Sequence, residues 1–169
     1  MRGERANKRL ERTAEKRGRS PQAARRFNST LMPWVFGGHM ASIRREIQVR
    51  RPRQVVWDAI RDVGSIHKRL VPGFVVGCRL EGDSRYLTFG NGMTIREIIV
   101  DVDDRNFRHS WSARGEPFAH HNASIQVFVE DDNTCRLVWI ADLLPNEIAG
   151  ATAEMIEQGL QTMKATLEA

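Results

Sequence analysis

The chain has 169 residues, with 26 Lys or Arg against 21 Asp or Glu, and its formal net charge at pH 7 is +5. Hydrophobic residues make up 41% of the chain and there are only two cysteines, which excludes a disordered protein, a collagen, a coiled coil and a disulfide-rich domain. No apolar run approaches the roughly 18 residues of a membrane-spanning helix, and a chain of this length can bury a core of its own.

The positive charge is concentrated at the start of the chain. Residues 1–40 contain ten Lys or Arg and three Glu, which leaves 16 basic and 18 acidic residues in residues 41–169. We predict that residues 1–40 are a basic extension, either disordered or not native to the protein, and that residues 41–169 form the domain. Two other interpretations stay open: a basic arm that binds nucleic acid or anionic lipid, and a targeting peptide, which the three Glu disfavour.

From residue 41 onward the hydrophobic pattern predicts a strand, two short helices, six further strands and a long helix. The first helix begins at Pro52, because proline is tolerated in the first turn, and Gly64 ends it. Gly90-Asn91-Gly92 predicts a tight hairpin, because Asn-Gly accepts the positive φ of such turns. The predicted strands cover residues 43–50, 74–80, 85–89, 93–102, 107–113, 122–130 and 135–143.

The last predicted element is the long helix. After Pro145, apolar residues from Ile148 to Leu167 recur mostly at spacings of three and four. The segment covers about 23 residues, or roughly 35 Å of helix. Helices segregated beside an antiparallel sheet define an α+β domain. We predict a curved antiparallel sheet of about seven strands wrapped around the C-terminal helix, with a cavity between them of the kind that binds small molecules.

Several motifs give residues 41–169 a resemblance to a known family. They resemble the START-like helix-grip superfamily and, within it, the SRPBCC proteins of the polyketide cyclase/dehydratase type. The motifs are Pro52 with Val56-Trp57, the segments 56–62 and 66–72, Glu97, Asp103-Asp104, and Asp142-Leu143-Leu144-Pro145 before the final helix. The resemblance implies a helix-grip fold and a cavity for a hydrophobic ligand. It does not fix an activity, because this fold serves transfer proteins, hormone receptors, cyclases and hydroxylase components.

Glu97 is the best single candidate for a polar group in the cavity. It shares one face of its strand with Ile95 and Ile99, and a carboxylate on an apolar face is destabilising unless it has a partner. The alternative is that the strand bulges and Glu97 pairs with Arg96 or Arg108 on the outside. Both interpretations stay open at the level of sequence.

Two histidines are further candidates for the site. His67 lies in the second short helix, which can border the cavity in this fold, and a histidine there can act as an acid or a base near neutral pH. Its alternative role is a helix cap or a surface hydrogen bond. His121 and Ser124 resemble in position the latch loop of the plant abscisic-acid receptors, which share the fold. With Glu97, the two histidines are the candidate catalytic residues.

Large apolar side chains predict the rest of the lining. Trp111 and Trp139 lie on strand faces that we expect to point inward, although tryptophans at such positions are more often plain core. On the last helix Met155, Gly159 and Met163 lie four residues apart and share one face. A helical glycine costs about 1 kcal/mol relative to alanine, which room for a ligand would explain. Close packing on the sheet would explain it equally well.

The sequence predicts neither a metal nor a cofactor. Cys78 and Cys135 do not have the spacing of a zinc site, and the adjacent His120 and His121 point to opposite sides of a strand. Phosphate-binding glycine loops, nucleophile elbows, metalloprotease motifs and haem-binding cysteine pairs are absent from the sequence. The low cysteine content favours a reducing cytosol.

Two functions from different classes stay open. The first is binding of a hydrophobic small molecule in the internal cavity by a carrier or sensor. The second is a polyketide cyclase/dehydratase-like enzyme that uses acid–base residues of the same cavity. We favour binding, because the polar residues are isolated in the sequence and form no tight catalytic constellation. Convergence of His67 and Glu97 on one cavity would favour the enzyme.

Overall fold

The strands of the domain form one antiparallel sheet. A computed structural model describes residues 40–169, so the predictions for residues 1–39 lie outside the described part of the chain. The strands are β1 (Ala41–Val49), β2 (Val75–Glu81), β3 (Ser84–Phe89), β4 (Thr94–Asp103), β5 (Arg108–Arg114), β6 (His120–Asp131) and β7 (Thr134–Leu144). They are ordered β1-β7-β6-β5-β4-β3-β2 across the sheet, and each neighbouring pair is antiparallel.

Two short helices follow β1, and a long helix follows β7. The helices are α1 (Arg53–Ile60), α2 (Ile66–Arg69) and α3 (Ala149–Glu168), and a 3₁₀ turn at Asn146–Ile148 precedes α3. The long helix begins later than predicted, because Pro145 is extended and the first turn after it is of the tighter 3₁₀ type. Among the helices of residues 40–169, none has the length and apolar character needed to cross a membrane.

This arrangement confirms the predicted α+β class and helix-grip fold. One hydrophobic core joins the sheet to α3: Ile125 and Val127 of β6 are buried in the same cluster as Ile156 and Leu160 of α3. The alternation of buried and exposed residues along β6 reflects the two-residue period of a strand with one face on the core. The buried side of α3 therefore lies against one face of the sheet.

The β3–β4 hairpin is fixed by close backbone contacts at the predicted Gly90-Asn91-Gly92 turn. Gly92 has φ +85°, which favours glycine, and its N–H donates to the Phe89 carbonyl over 2.9 Å. Gly90 donates to the Phe74 carbonyl over 3.0 Å, and a Cβ on Gly90 would lie 2.5 Å from the Gly73 oxygen. The hairpin therefore rests directly on the backbone at the start of β2.

Candidate functional site

A cavity of about 330 Å³ lies between the sheet and the helices. This volume falls within the roughly 300–1,000 Å³ typical of small-molecule sites. Its walls come from all three helices and from strands β2 to β7. The lining residues that are exposed to solvent show where the cavity opens, namely between the β3–β4 hairpin, the β5–β6 loop and the start of α3. They are Met93, Thr94, Glu116, Pro117 and Ala151.

An ion pair is buried in the sheet wall of this cavity. Arg85 of β3 and Glu97 of β4 face each other across the hairpin, and Arg85 Nε donates to Glu97 Oε2 over 2.7 Å. Their side chains are only 6% and 10% exposed. Arg85 Nη1 also lies 3.5 Å from the carbonyl oxygen of Val63. The two charges satisfy each other at a place where either charge alone would be strongly destabilising.

The partner of Glu97 differs from both predicted arrangements. Glu97 is neither an unpaired acid on an apolar face nor paired outside the domain with Arg96 or Arg108. Its partner is Arg85, within the cavity wall, whereas Arg96 donates to Ser84 Oγ over 3.0 Å. The physical reason is the strand register, which sets Arg85 and not Arg96 directly opposite Glu97.

Arg85 is not among the predicted site residues, although the sequence contains a signal for it. Arg85 alternates with Leu87 and Phe89, so all three share the face that lines the cavity. Arg85 and Glu97 also lie six residues to either side of Asn91, the centre of the predicted hairpin. Counting outward from the turn therefore places opposite charges face to face.

His109 is a second lining residue that the predicted site omits, and its side chain is only 2% exposed. Its Nδ1 lies 3.0 Å from the carbonyl oxygen of Asp101, and Nδ1 carries the proton because a carbonyl only accepts. Burial lowers the pKa of His109 to about 4, and the positive charge of Arg85 is a smaller cause of the same shift. At pH 7 the ring is neutral, and its Nε2 is an acceptor without a hydrogen-bond partner among residues 40–169.

Two tryptophans connect His109 to the rest of the lining, and both are residues that the sequence predicts there. The His109 ring stacks on Trp111 with centroids 5.0 Å apart, and Trp139 meets Trp111 edge-on at 5.2 Å. The guanidinium carbon of Arg85 lies 5.7 Å from the centroid of the Trp111 ring. Trp139 Nε1 is buried and lacks an acceptor within the described part of the chain. Contact of the two tryptophans with a ligand stays a prediction.

His121 also lines the cavity, and its neutral ring is the opposite tautomer to that of His109. The backbone N–H of Ala113 donates to His121 Nδ1 over 3.0 Å, so Nε2 carries the proton of the neutral ring. Burial lowers the pKa of His121 to about 4, and the neighbouring His120 is a smaller cause of the same shift. The ring packs edge-on against Phe118 with centroids 4.8 Å apart. His121 is therefore a neutral donor, whereas His109 is a neutral acceptor.

Three of the predicted site residues lie outside the cavity lining, namely His67, Ser124 and Gly159. His67 is half-buried on α2, and only Glu97 of the two residues expected to converge lines the cavity. Ser124 lies between Ala123 and Ile125 on β6; adjacent residues of a strand point to opposite sides, and Ile125 faces the cavity. The side chain of Ser124 therefore points away from the cavity.

Gly159 is also absent from the cavity lining, and the contacts of α3 explain its position. A Cβ on Gly159 would lie 3.4 Å from the Phe74 ring and 3.5 Å from the Trp139 ring. These distances favour close packing over room for a ligand as the explanation of Gly159, because two cavity-lining rings already fill the space in front of it. Met155 and Met163, four residues to either side, do line the cavity.

The described residues offer no place for a metal. Within residues 40–169, no three side chains of His, Cys, Asp or Glu are grouped so that they could hold a metal ion. Cys78 and Cys135 are free thiols. Burial raises the pKa of both thiols, that of Cys135 to about 11, so neither is a reactive thiolate at pH 7. The cytosolic location stays a prediction.

Comparisons with known proteins agree with this architecture. The family described as polyketide cyclase/dehydrase and lipid transport matches residues 40–168. A solved structure from Bacillus thuringiensis has a TM-score of 0.69 and 21% identity, over 75% of this chain and 98% of that chain. The chain matches no curated protein sequence.

Two further solved structures share the fold at lower identity. The di-domain ARO/CYC protein BexL from the BE-7585A biosynthetic pathway has a TM-score of 0.66 and 14% identity, over 76% of this chain and 46% of that chain. Norcoclaurine synthase from Thalictrum flavum has a TM-score of 0.60 and 16% identity, over 77% of this chain and 85% of that chain. At these identities the likeness shows the fold alone.

Proposed function

Because the chain belongs to the polyketide cyclase/dehydrase and lipid transport family, we propose that it binds a hydrophobic small molecule between its sheet and α3, as a carrier or a sensor. The observation that carries the proposal is the cavity of about 330 Å³, whose walls are apolar apart from a few polar side chains. Such a cavity takes a ligand by removing its apolar surface from water, while the polar groups fix its orientation.

The helix side of the cavity supports a binding role. Met155 and Met163 line it from α3, and both side chains are unbranched and polarisable. Methionines of this kind adapt to apolar guests of different shape. The opening that Ala151 and Met93 border gives a ligand access from solvent.

Native mass spectrometry of the protein purified from its own host tests the proposal. We expect a species heavier than the chain by one small molecule, with the extra mass lost when the protein is denatured. An apolar fluorescent dye provides a second test, because dye in the cavity becomes bright and is displaced by the co-purified molecule. A protein that carries no ligand and binds no apolar dye would contradict a binding role.

Two variants of α3 locate the bound dye. Ala151 and Glu154 are both exposed on the first turns of the helix, but only Ala151 lines the cavity. We expect Ala151→Trp to obstruct the opening and weaken dye binding, whereas Glu154→Trp leaves it unchanged. Equal binding by the two variants would place the dye elsewhere on the protein.

The second candidate function is a cyclase- or dehydratase-like enzyme. It is supported by the presence of Glu97, His109 and His121 in one cavity lining, since these groups can transfer protons. BexL is described as an ARO/CYC protein, and norcoclaurine synthase was solved with dopamine and hydroxybenzaldehyde. The lowered pKa of both histidines, about 4, makes them weak bases and favours binding over catalysis.

The co-purified molecule also discriminates between the two candidates. An enzyme converts it, or its precursor, to a product that liquid chromatography separates, and the conversion falls in a folded His121→Phe variant. A carrier or sensor returns the molecule unchanged after prolonged incubation. A lack of conversion of both the molecule and its precursor would therefore contradict the enzyme and leave the binding role intact.

A further inference from the structure

We infer that the ligand of this cavity carries a hydroxyl or another hydrogen-bond-donating group, and that this group binds Nε2 of His109. The inference rests on the proposed binding function and names the chemistry that the site selects. It follows from the tautomer of His109, from the lack of a partner for Nε2, and from the charges around the ring.

The tautomer of His109 is fixed by the sheet. Its Nδ1 contacts the carbonyl oxygen of Asp101 at 3.0 Å, and Asp101 belongs to β4, the strand paired with β5. The opposite tautomer would set the lone pair of Nδ1 against the lone pairs of that oxygen. The proton therefore stays on Nδ1, and the lone pair of Nε2 is left free.

The free lone pair has no partner within residues 40–169. His109 is only 2% exposed, and its Nε2 is buried. Arg85, the nearest cation in the wall, already donates to Glu97. Buried polar atoms in folded proteins are nearly always hydrogen-bonded, so an unpartnered acceptor on a residue that lines a ligand-sized cavity indicates a partner from outside the chain, which reaches Nε2 when the side chains around it shift.

The surroundings of His109 favour a neutral donor over an anion or a cation. The lone pair of Nε2 would repel an anionic group. Protonation of the ring would remove this repulsion, but burial and the charge of Arg85 keep the ring neutral at pH 7. A cationic ligand would meet the same positive charge. A neutral hydroxyl on an apolar body fits both the lone pair and the aromatic wall of Trp111.

Trp139 supplies the complementary group. Its Nε1 is a buried donor with no acceptor in the described part of the chain. A hydroxyl oxygen accepts while its hydrogen donates, so one hydroxylated ligand offers partners of both kinds. A methyl ether retains the oxygen and loses only the hydrogen, which makes it a selective probe of His109.

Matched pairs of phenols and their methyl ethers test the inference. The probes are 2-naphthol with 2-methoxynaphthalene and 4-phenylphenol with 4-methoxybiphenyl, and their affinities are measured by titration calorimetry at pH 7. We expect the wild-type protein to bind each phenol about tenfold more tightly than its ether. In His109→Phe the preference should vanish while the ethers still bind. His120→Phe, at an exposed histidine outside the cavity lining, is the matched control and should keep the preference.

The outcomes separate the inference from the proposed function. Equal binding of phenols and ethers by the wild type, or an undiminished preference in His109→Phe, would overturn the inference and leave apolar ligand binding standing. Failure of both scaffolds to bind in either form would overturn the two together. If His109→Phe does not fold, nitrogen NMR of the wild type decides: the Nε2 resonance should move upfield with 2-naphthol but not with its ether, and equal shifts would reject the inference.

Discussion

The two walls of the cavity differ in chemistry. The sheet wall contains the buried polar side chains, which are Arg85, Glu97, His109 and His121. The α3 wall contains apolar and small side chains, which are Ala151, Thr152, Met155, Ile156 and Met163. Neighbouring strands hold the first set at fixed positions through their register, whereas the methionines of the second set can change rotamer.

Under the proposed binding function, this difference assigns a separate task to each wall. Strand pairing places a polar atom to within a fraction of an ångström, which is what recognition of a ligand group requires. A helix face of flexible apolar side chains instead sets how much volume is available. We therefore expect substitutions in the sheet wall to change stability and selectivity, and substitutions in α3 to change capacity.

Glu97→Gln should have the largest effect on stability, because it removes one charge of the ion pair buried in the sheet wall. We expect the free energy of unfolding to fall by about 3 kcal/mol, since Arg85 would keep its buried charge without a counter-ion. This direction is opposite to the stabilisation that an unpaired Glu97 would predict. Urea unfolding at pH 7 measures the change.

Two controls accompany this substitution. Glu46→Gln removes an exposed carboxylate that pairs with Arg44 and Arg136, and we expect the free energy of unfolding to change by less than about 1 kcal/mol. The double substitution Arg85→Met and Glu97→Leu removes both charges and should recover most of the lost stability. A Glu97→Gln protein as stable as the wild type would refute the buried ion pair.

Acidification should have the next largest effect, because only the sheet wall of the cavity contains histidines. The folded pKa values of His109 and His121, about 4, lie below the ordinary 6.5, so folding favours the neutral rings. This stabilisation is complete above pH 6.5 and is lost as the pH falls towards 4. Between pH 7 and 5.5 we expect a loss of about 2 kcal/mol, since one pKa unit corresponds to about 1.4 kcal/mol.

Urea unfolding at pH 7 and 5.5 measures this loss. The window lies above the ordinary pKa of carboxylates, so histidines dominate it. A folded His121→Phe variant should lose about half of the pH dependence. Stability that is level across this window would show that the two rings are not buried in neutral form.

Substitutions of Gly159 sharpen the description of the α3 wall. Gly159→Ala places a Cβ at ordinary contact distance from the rings of Phe74 and Trp139 and improves helix propensity. We expect it to be neutral or stabilising by about 0.5 kcal/mol. Gly159→Leu should destabilise by about 1 kcal/mol net, because overpacking outweighs the gain in propensity. Thermal unfolding of both proteins is the measurement, and a stabilised Gly159→Leu would indicate empty space beneath the helix.

Removal of residues 1–39 should have the smallest effect, because both walls lie within residues 40–169. We expect a chain that begins at Met40 to melt within a few degrees of the full chain and to bind the apolar dye equally well. Calorimetry and dye titration measure the two properties. A loss of more than about 2 kcal/mol would show that the basic segment contributes to the stability of the domain.

The fold was accessible from the sequence because its signals are local. Strand alternation, the turn at Asn91 and the periodicity of the last helix each involve neighbours in the chain. The site depends on contacts between distant residues. The role of Arg85 becomes visible only when the strand register places it opposite Glu97. The Nε2 of His109 is a free acceptor only because Nδ1 carries the proton and donates it to the Asp101 carbonyl.

The predicted site residues that do not line the cavity also have physical explanations. The position of Ser124 could have been predicted from the alternation of side chains along a strand, because its neighbour Ile125 faces the cavity. This alternation outweighs the positional likeness of Ser124 to a latch loop. For His67, the sequence indicates a short helix but not which side of it meets the cavity. For Gly159, helical spacing gives the correct face but not the two rings that fill the space before it.

The contact between Gly90 and the start of β2 has a consequence for how related sequences can diverge. A side chain at position 90 would collide with the Gly73 carbonyl, so a substitution there requires a shift of the adjoining backbone. Phe74 and Val75 follow immediately and line the cavity. We therefore expect homologues with a larger residue at this position to differ also in the segment before β2. In such lineages a change in one turn would reshape the cavity without altering any residue that a ligand touches.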